Sequence, residues 1–304
     1  MQIKTIEQKI KAKMKEWLES ISDEKLRKEV EENILVSGGS IASMLLREDV
    51  NDYDVYLKNI DVLKKLAEYY TKNVGVIEIL DGRQKEKLIK DYEEGGGDIN
   101  EANNYQAIAI RTLKEDQIKL FFTDKNGGHR IEKEDGKDFE AYEPKYFSPN
   151  AISLSNDVQI VLRFWGDNKK IHETFDFVHA TNYFTFSQGL VRNLNAVESL
   201  LTKQLKYQGS FYPLTSIIRM KKFLKRGFNI NAGEILKIMF QISELDLTNP
   251  DVLEEQLIGV DVAYFETLIS ALRSKLASDR DFKLSNSYLF ALIDKIFNEN
   301  DHDE

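Results

Sequence analysis

Residues 33–37, Asn-Ile-Leu-Val-Ser, form a short apolar run that stops at Gly38-Gly39. A run of that length ending in glycine reads as a buried strand meeting a turn. Ser40 is placed to cap a short helix over Ile41 to Arg47. Residues 52–57, Asp-Tyr-Asp-Val-Tyr-Leu, then alternate in character, as a strand with one buried face does. Strand, glycine bend, helix and strand in quick succession commit this part of the chain to mixed α and β structure.

The rest divides by hydrophobic period. Residues 1–30 read as helix, with Ile3, Ile6, Ile10, Met14, Trp17 and Leu18 on one stripe. A helix at about 60–72 and a strand at 74–80 follow. The charged stretch 81–104, with Gly95-Gly96-Gly97, reads as a mobile excursion. Strands are expected at 105–112 and 116–123, joined as a hairpin around Lys114-Glu115, then at 158–165 and 174–178. From about 186 the period is helical, with Leu190, Leu194, Val197, Leu201 and Leu205 on one stripe. Pro213 opens a helix that Gly227 closes, with Ile217, Ile218 and Leu224 turned inward. Asn231 and Glu234 make a capping box, and two more helices fit 260–277 and 284–298. The expected fold is α+β: a mixed-sheet domain over 1–185, followed by an all-helical domain over 186–304.

Composition excludes several chemistries. With no Cys, the chain has no disulfide, thiolate nucleophile or Cys-ligated metal. Only four His argue against a His-rich metal site. No apolar run nears the roughly 20 residues of a membrane helix, and the charged N-terminus is unlike a secretory signal, so a cytoplasmic location is expected. A net charge of −9 argues against coating nucleic acid by bulk charge.

The chemistry concentrates at the glycine bend. Glycine lets backbone approach a phosphate closely, and the exposed N–H groups of a helix N-terminus suit anionic oxygens. On a strand Asp52 and Asp54 share a face, about 7 Å apart along it, with Tyr53 and Val55 turned to the core. Paired carboxylates of this kind suit Mg²⁺, which takes carboxylates together with substrate phosphates.

Gly38-Gly39-Ser40, then eleven residues, then Asp52-Tyr53-Asp54-Val55, resembles the signature of the nucleotidyltransferase superfamily of DNA polymerase β type. The segments VQIVLRF, FDFVHATNY and YQGSFYPLTSIIRMKKFLKRGF are similar to uncharacterised nucleotidyltransferase-like proteins of large tailed bacteriophages, which would place the chain in the host cytoplasm. The resemblance implies a nucleotidyltransferase domain followed by a helical domain, and a third metal-binding acid on a later strand. Asp176 is the candidate, with Asp116 and Asp124 behind it. It implies two Mg²⁺ ions, with Mn²⁺ as a substitute, on Asp52, Asp54 and Asp176. It also implies nucleotide binding by Gly38, Gly39 and Ser40, and a triphosphate held by Lys206 and Ser210.

Arg219, Lys222 and Arg226 fall on one stripe of the Pro213 helix and offer contacts to phosphate or acceptor. The activity expected is transfer of NMP from an NTP to an acceptor hydroxyl, with release of pyrophosphate. An RNA 3′ end, such as that of tRNA, is the first candidate acceptor, with protein hydroxyls or another nucleotide as competitors. Protein nucleotidylation and cyclic-nucleotide synthesis are further forms of the same chemistry. A non-catalytic interaction protein of the same fold, a virion component or antitoxin-like inhibitor, is the alternative from another class. His179 reads equally as a cleft or a structural residue, and His172 as a surface residue.

Overall fold

The computed structural model describes residues 2–99, 105–123, 128–133, 137–247 and 249–256, with scattered positions beyond. The N-terminal region is two helices, α1 (Ile3–Ser20) and α2 (Glu24–Asn33), where one was expected. The break is enforced by Asp23, whose carboxylate accepts the N–H of Leu26 at 3.0 Å and starts α2 afresh. Then come β1 (Ile34–Ser37), α3 (Gly39–Leu46), β2 (Tyr53–Leu57) and α4 (Ile60–Thr71), close to the sequence expectation.

The next stretch departs from it. Strand β3 (Ile77–Asp81) leads through a 3₁₀ turn (Gly82–Gln84) into α5 (Lys85–Glu94), so much of the expected mobile excursion is helix. Residues expected as a strand form α6 (Tyr105–Arg111), and β4 (Ile118–Phe122) pairs antiparallel with β3 instead. Short apolar runs are ambiguous in period; here Ala107 and Ile110 are both buried, three residues apart as on a helix.

The remaining elements are β5 (His129–Arg130), β6 (Pro144–Ser148), β7 (Ala151–Leu154), β8 (Val158–Trp165), α7 (Asn168–His172), β9 (Tyr183–Thr185) and β10 (Gly189–Val191). Helices α8 (Leu194–Thr202), α9 (Pro213–Lys225), α10 (Ala232–Ser243) and α11 (Pro250–Gln256) complete the described chain. The helices expected at 260–277 and 284–298 fall almost wholly outside the described residues.

The main sheet has eight strands in the order β10-β9-β1-β2-β8-β7-β6-β5. Only β2 and β8 run parallel; the other neighbours are antiparallel. The fold is therefore α+β with a mixed sheet, as the sequence indicates. The hairpin β9–β10 runs across residue 185, where the hydrophobic period suggested a change to helices. Residues 174–178, expected as a strand, make a single bridge, Phe177 to Tyr207.

One face of the sheet packs Val36, Val55 and Ile160 against Ile10, Trp17 and Leu63 of α1 and α4. The opposite face carries Leu35, Tyr56 and Tyr183 against Ile171 and Phe175. A separate cluster, including Ala42, Phe177, Leu200, Tyr207, Phe228 and Ile238, joins the later helices to α3. Helix α8 is rotated relative to the expected stripe: Leu194 and Leu201 are 81% and 80% exposed, while Ala196, Ser199 and Leu200 are buried. On α9, Pro213, Thr215 and Ser216 are buried, and Ile217 and Leu224 lie at the surface. Apolar spacing alone cannot tell which of two overlapping stripes will meet a partner.

Candidate active site

Strand β1 delivers the chain to Gly38, whose φ of 94° and ψ of −145° suit glycine alone. The pairing of β1 with β2 sets Val36 opposite Val55, so the bend falls beside the start of β2. A Cβ on Gly38 would lie 3.0 Å from Oδ2 of Asp54, whereas one on Gly39 would meet nothing within 4 Å. The bend and the Asp54 carboxylate are therefore in direct contact. Gly38 spends its own N–H on the carbonyl of Ala180, at 3.2 Å.

Ser40 is not the cap that was expected. Gly38 is the N-cap, and Ser40 sits within the first turn of α3, 2% exposed. Its Oγ is buried without a hydrogen-bond partner among the described residues.

Asp52 is exposed just ahead of β2, and Asp54 is half-buried on it. Neither carboxylate makes an ion pair or hydrogen bond among the described residues. Burial, and next the Asp52 charge, push the Asp54 carboxyl up to about 7; Arg219 and Lys222 act in the opposite direction. Asp52 is also raised, by burial, with Lys222 opposing and Asp157 adding to the shift. Asp157 was missed in the sequence. It lies at the start of β8, and its carbonyl accepts the N–H of Tyr53 at 2.7 Å. Only the parallel pairing of β2 with β8 brings it here, a relation without a local sequence signal.

Asp176 has different partners from those expected. It is 4% exposed. Its Oδ2 lies 2.6 Å from Nη1 of Arg219, and its Oδ1 accepts from Oγ of Ser210 at 2.7 Å. Among the described residues no three His, Cys, Asp or Glu side chains gather in a metal-binding group. The expected trio of Asp52, Asp54 and Asp176 is thus not assembled. Asp116 pairs with Lys170 at 3.3 Å, and Asp124 lies outside the described residues.

The basic stripe is largely matched by acids. Arg219 serves Asp176, and Arg226 serves Glu48 and Oγ of Ser43. Lys222 makes no ion pair among the described residues, and its charge acts on both Asp52 and Asp54. Lys206 pairs with Glu198 at 2.6 Å near the surface, and Ser210 is buried, with its Oγ donating to Asp176. His172 is partly buried, packed on Phe175 and Tyr183, with Nε2 2.9 Å from Oγ of Ser37. Burial lowers its pKa to about 4. His179 packs edge-on against Phe223 with ring centroids 4.3 Å apart, and burial lowers it to about 3. Both are neutral structural residues.

Asp52 and Asp54 carry the oxygen donors a divalent cation takes: neither has an ion-pair partner among the described residues, burial raises both, and the Asp52 charge adds to the shift of Asp54. This donor set does not extend to Asp176, whose two oxygens are already engaged.

The model of the Gabija anti-defense 2 family protein, Gad2, matches residues 8–203 of the chain. This chain belongs to the Gad2 family. The Gad2 match takes in all ten strands, Gly38 and the acids Asp52, Asp54, Asp157 and Asp176; helix α9, with Arg219 and Lys222, lies beyond it. No curated protein matches the chain. Among solved structures, the chain is similar to a Thermotoga maritima CCA-adding enzyme complexed with tRNA, at 12% identity and a TM-score of 0.37. That likeness covers 90% of this chain and 57% of that one. A CCA-adding enzyme with CTP gives 13% and 0.38, over 90% and 56%. A tRNA nucleotidyltransferase with a primer tRNA and an incoming ATP analog gives 11% and 0.34, over 84% and 61%. The chain spans less than two thirds of each of these proteins. At TM-scores below 0.5 such likeness carries no conclusion about the activity of a Gad2 protein.

Proposed function

We propose that this chain is a divalent-metal-dependent nucleotidyltransferase that opposes the Gabija defence named in its family's description. The observation that supports it is the Asp52–Asp54 pair, unmatched among the described residues, with the Asp54 carboxylate beside the Gly38 bend. Asp52 and Asp54 would hold Mg²⁺, or Mn²⁺ in its place, which supplies charge neutralisation at the α-phosphate when bound. The first turn of α3 turns its N–H groups and positive dipole end toward phosphate oxygens. Lys222, carrying the uncommitted charge of α9, approaches the same phosphates. The acceptor oxygen attacks the α-phosphorus, the bond to the bridging oxygen breaks, pyrophosphate leaves, and the hydroxyl proton passes to solvent. Catalysis here is positioning and charge compensation.

With Arg219 and Arg226 committed to acids, α9 offers little free track for an RNA backbone. The family membership favours a hydroxyl on a component of the defence as acceptor, ahead of an RNA 3′ end. A second reading, a non-catalytic interaction protein, is favoured by the exposed Leu194 and Leu201 on α8.

The test uses cells that carry Gabija and purified protein supplied with each α-labelled NTP. Asp52→Asn with Asp54→Asn should reduce label transfer by roughly 100-fold or more and abolish the protection of infecting phage. Full protection by the double variant, with no label transferred by either protein, would favour the interaction protein.

A further inference from the structure

Arg163 lies 3% exposed on β8, at an irregularity in the sheet. Between the pairs Val55–Ile160 and Leu57–Trp165 the register shifts, so β8 carries extra residues there. Bulges of this kind re-aim side chains. Of the guanidinium nitrogens, Nη2 donates to Oη of Tyr212, while Nε and Nη1 are buried with no partner among the described residues. The guanidinium carbon lies 4.3 Å from the ring centroid of Tyr212 and 5.8 Å from that of Phe164. Glu255 is close enough to act on it electrostatically, but that carboxylate is held by Lys114 at 2.6 Å.

The local balance is two cations to one acid. An arginine does not shed its proton in proteins, and a buried charge without hydrogen bonds is strongly unfavourable. What the cluster lacks is an anionic oxygen to accept from these N–H groups, a role that phosphate oxygens fill well for arginine. The Lys114 ammonium lies 5.9 Å from the ring centroids of both Tyr212 and Phe211, and Phe211 is 57% exposed, so the cluster reaches toward the surface on that side.

The cluster is also joined to the proposed active site. Tyr212 donates its N–H to Oγ of Ser210 at 2.9 Å, Ser210 donates to Asp176, and Asp176 holds Arg219, whose charge reaches Asp54. Gln159 is the register partner of Asp54, so Arg163 stands at most about 13 Å further along β8.

We propose that Arg163, with Tyr212 and Lys114, forms a second subsite that takes a phosphate group of a nucleotide-bearing substrate. The assignment of that phosphate to a substrate rests on the nucleotidyltransferase reading. The phosphate belongs either to the incoming NTP or to a polynucleotide acceptor, and the probes separate the two.

Binding is measured by titration calorimetry on the full chain in EDTA, so that turnover plays no part. The probes are ATP, tripolyphosphate, and a short single-stranded oligoribonucleotide with and without a 5′-phosphate. At least one phosphate-bearing probe should bind. Arg163→Gln should weaken it about 10-fold or more, as for loss of charge-assisted bonds, and Lys114→Gln by about 2- to 5-fold. Binding of ATP and tripolyphosphate alone assigns the subsite to the NTP; binding that depends on the oligonucleotide phosphate assigns it to the acceptor. The subsite is overturned if no probe binds, or if both variants bind like the wild type. Should Arg163→Gln not fold, the surface variant Lys114→Gln decides alone. Label transfer by Asp52→Asn/Asp54→Asn is scored separately, so a failed subsite and a failed enzyme give different results.

Discussion

Nη1 of Arg219 lies 2.6 Å from Oδ2 of Asp176, across 43 residues of chain, and this ion pair ties α9 to the loop after α7. The Asp176 side chain is 2% exposed and that of Arg219 37%. Removing the arginine leaves a buried carboxylate with Ser210 as its remaining side-chain partner. Arg219→Gln should cost about 1–3 kcal/mol, less than a fully buried pair because solvent reaches the guanidinium. Urea unfolding checks the value. An unchanged midpoint would show that the Asp176–Arg219 pair adds nothing to stability.

Asp54 predicts a pH dependence with a definite sign. Its native pKa of about 7 lies above the 3.8 of a free aspartate. Between those values the native state holds a proton that the unfolded chain has released, so stability falls as pH rises through that window. Asp54→Asn removes the slope. In EDTA the variant should match the wild type near pH 4 and melt higher at pH 8, by about 2–4 °C for each kcal/mol of repulsion relieved. Added Mg²⁺ should raise the wild-type melting temperature more than that of the variant. Parallel curves for the two proteins across this range would remove the unmatched carboxylate from the argument.

The two glycines of the bend should behave differently. Gly38→Ala forces a side chain into positive φ and against Asp54 Oδ2, at about 1–3 kcal/mol, with loss of label transfer. Gly39→Ala meets nothing within 4 Å and sits in the first turn of α3, where it should be neutral or stabilise by about 0.4–1 kcal/mol. Equal melting temperatures for the two variants would show that the bend is not strained.

Local signals proved readable where a residue's own chemistry decides the backbone. The Gly38 bend, the alternation of β2, the opening of α9 at Pro213 and the side-chain cap at Asn231 all follow from such signals; Asn231 Oδ1 accepts the N–H of Glu234 at 3.0 Å. Residues 105–111 carried apolar spacing that suits either a strand or a helix, and packing chose the helix. On α8, Leu194 and Leu201 looked like core by spacing, while Ser199 and Leu200 took the buried face because α3 and the 178–180 turn lie on that side.

The amino-acid order by itself determined the strand that carries Asp54 and the glycine bend before it, because strand alternation and positive φ are properties of a few adjacent residues. Only the tertiary structure decided which charges Asp52 and Asp54 would meet. It set Asp157 near Asp52 through the parallel pairing of β2 with β8. It bound Asp176 to Arg219 and Arg226 to Glu48, and it left Arg163 buried with nitrogens unpaired. Coulomb energy and desolvation depend on distance in space and exclusion of water, and neither quantity is written in the spacing of residues along a chain.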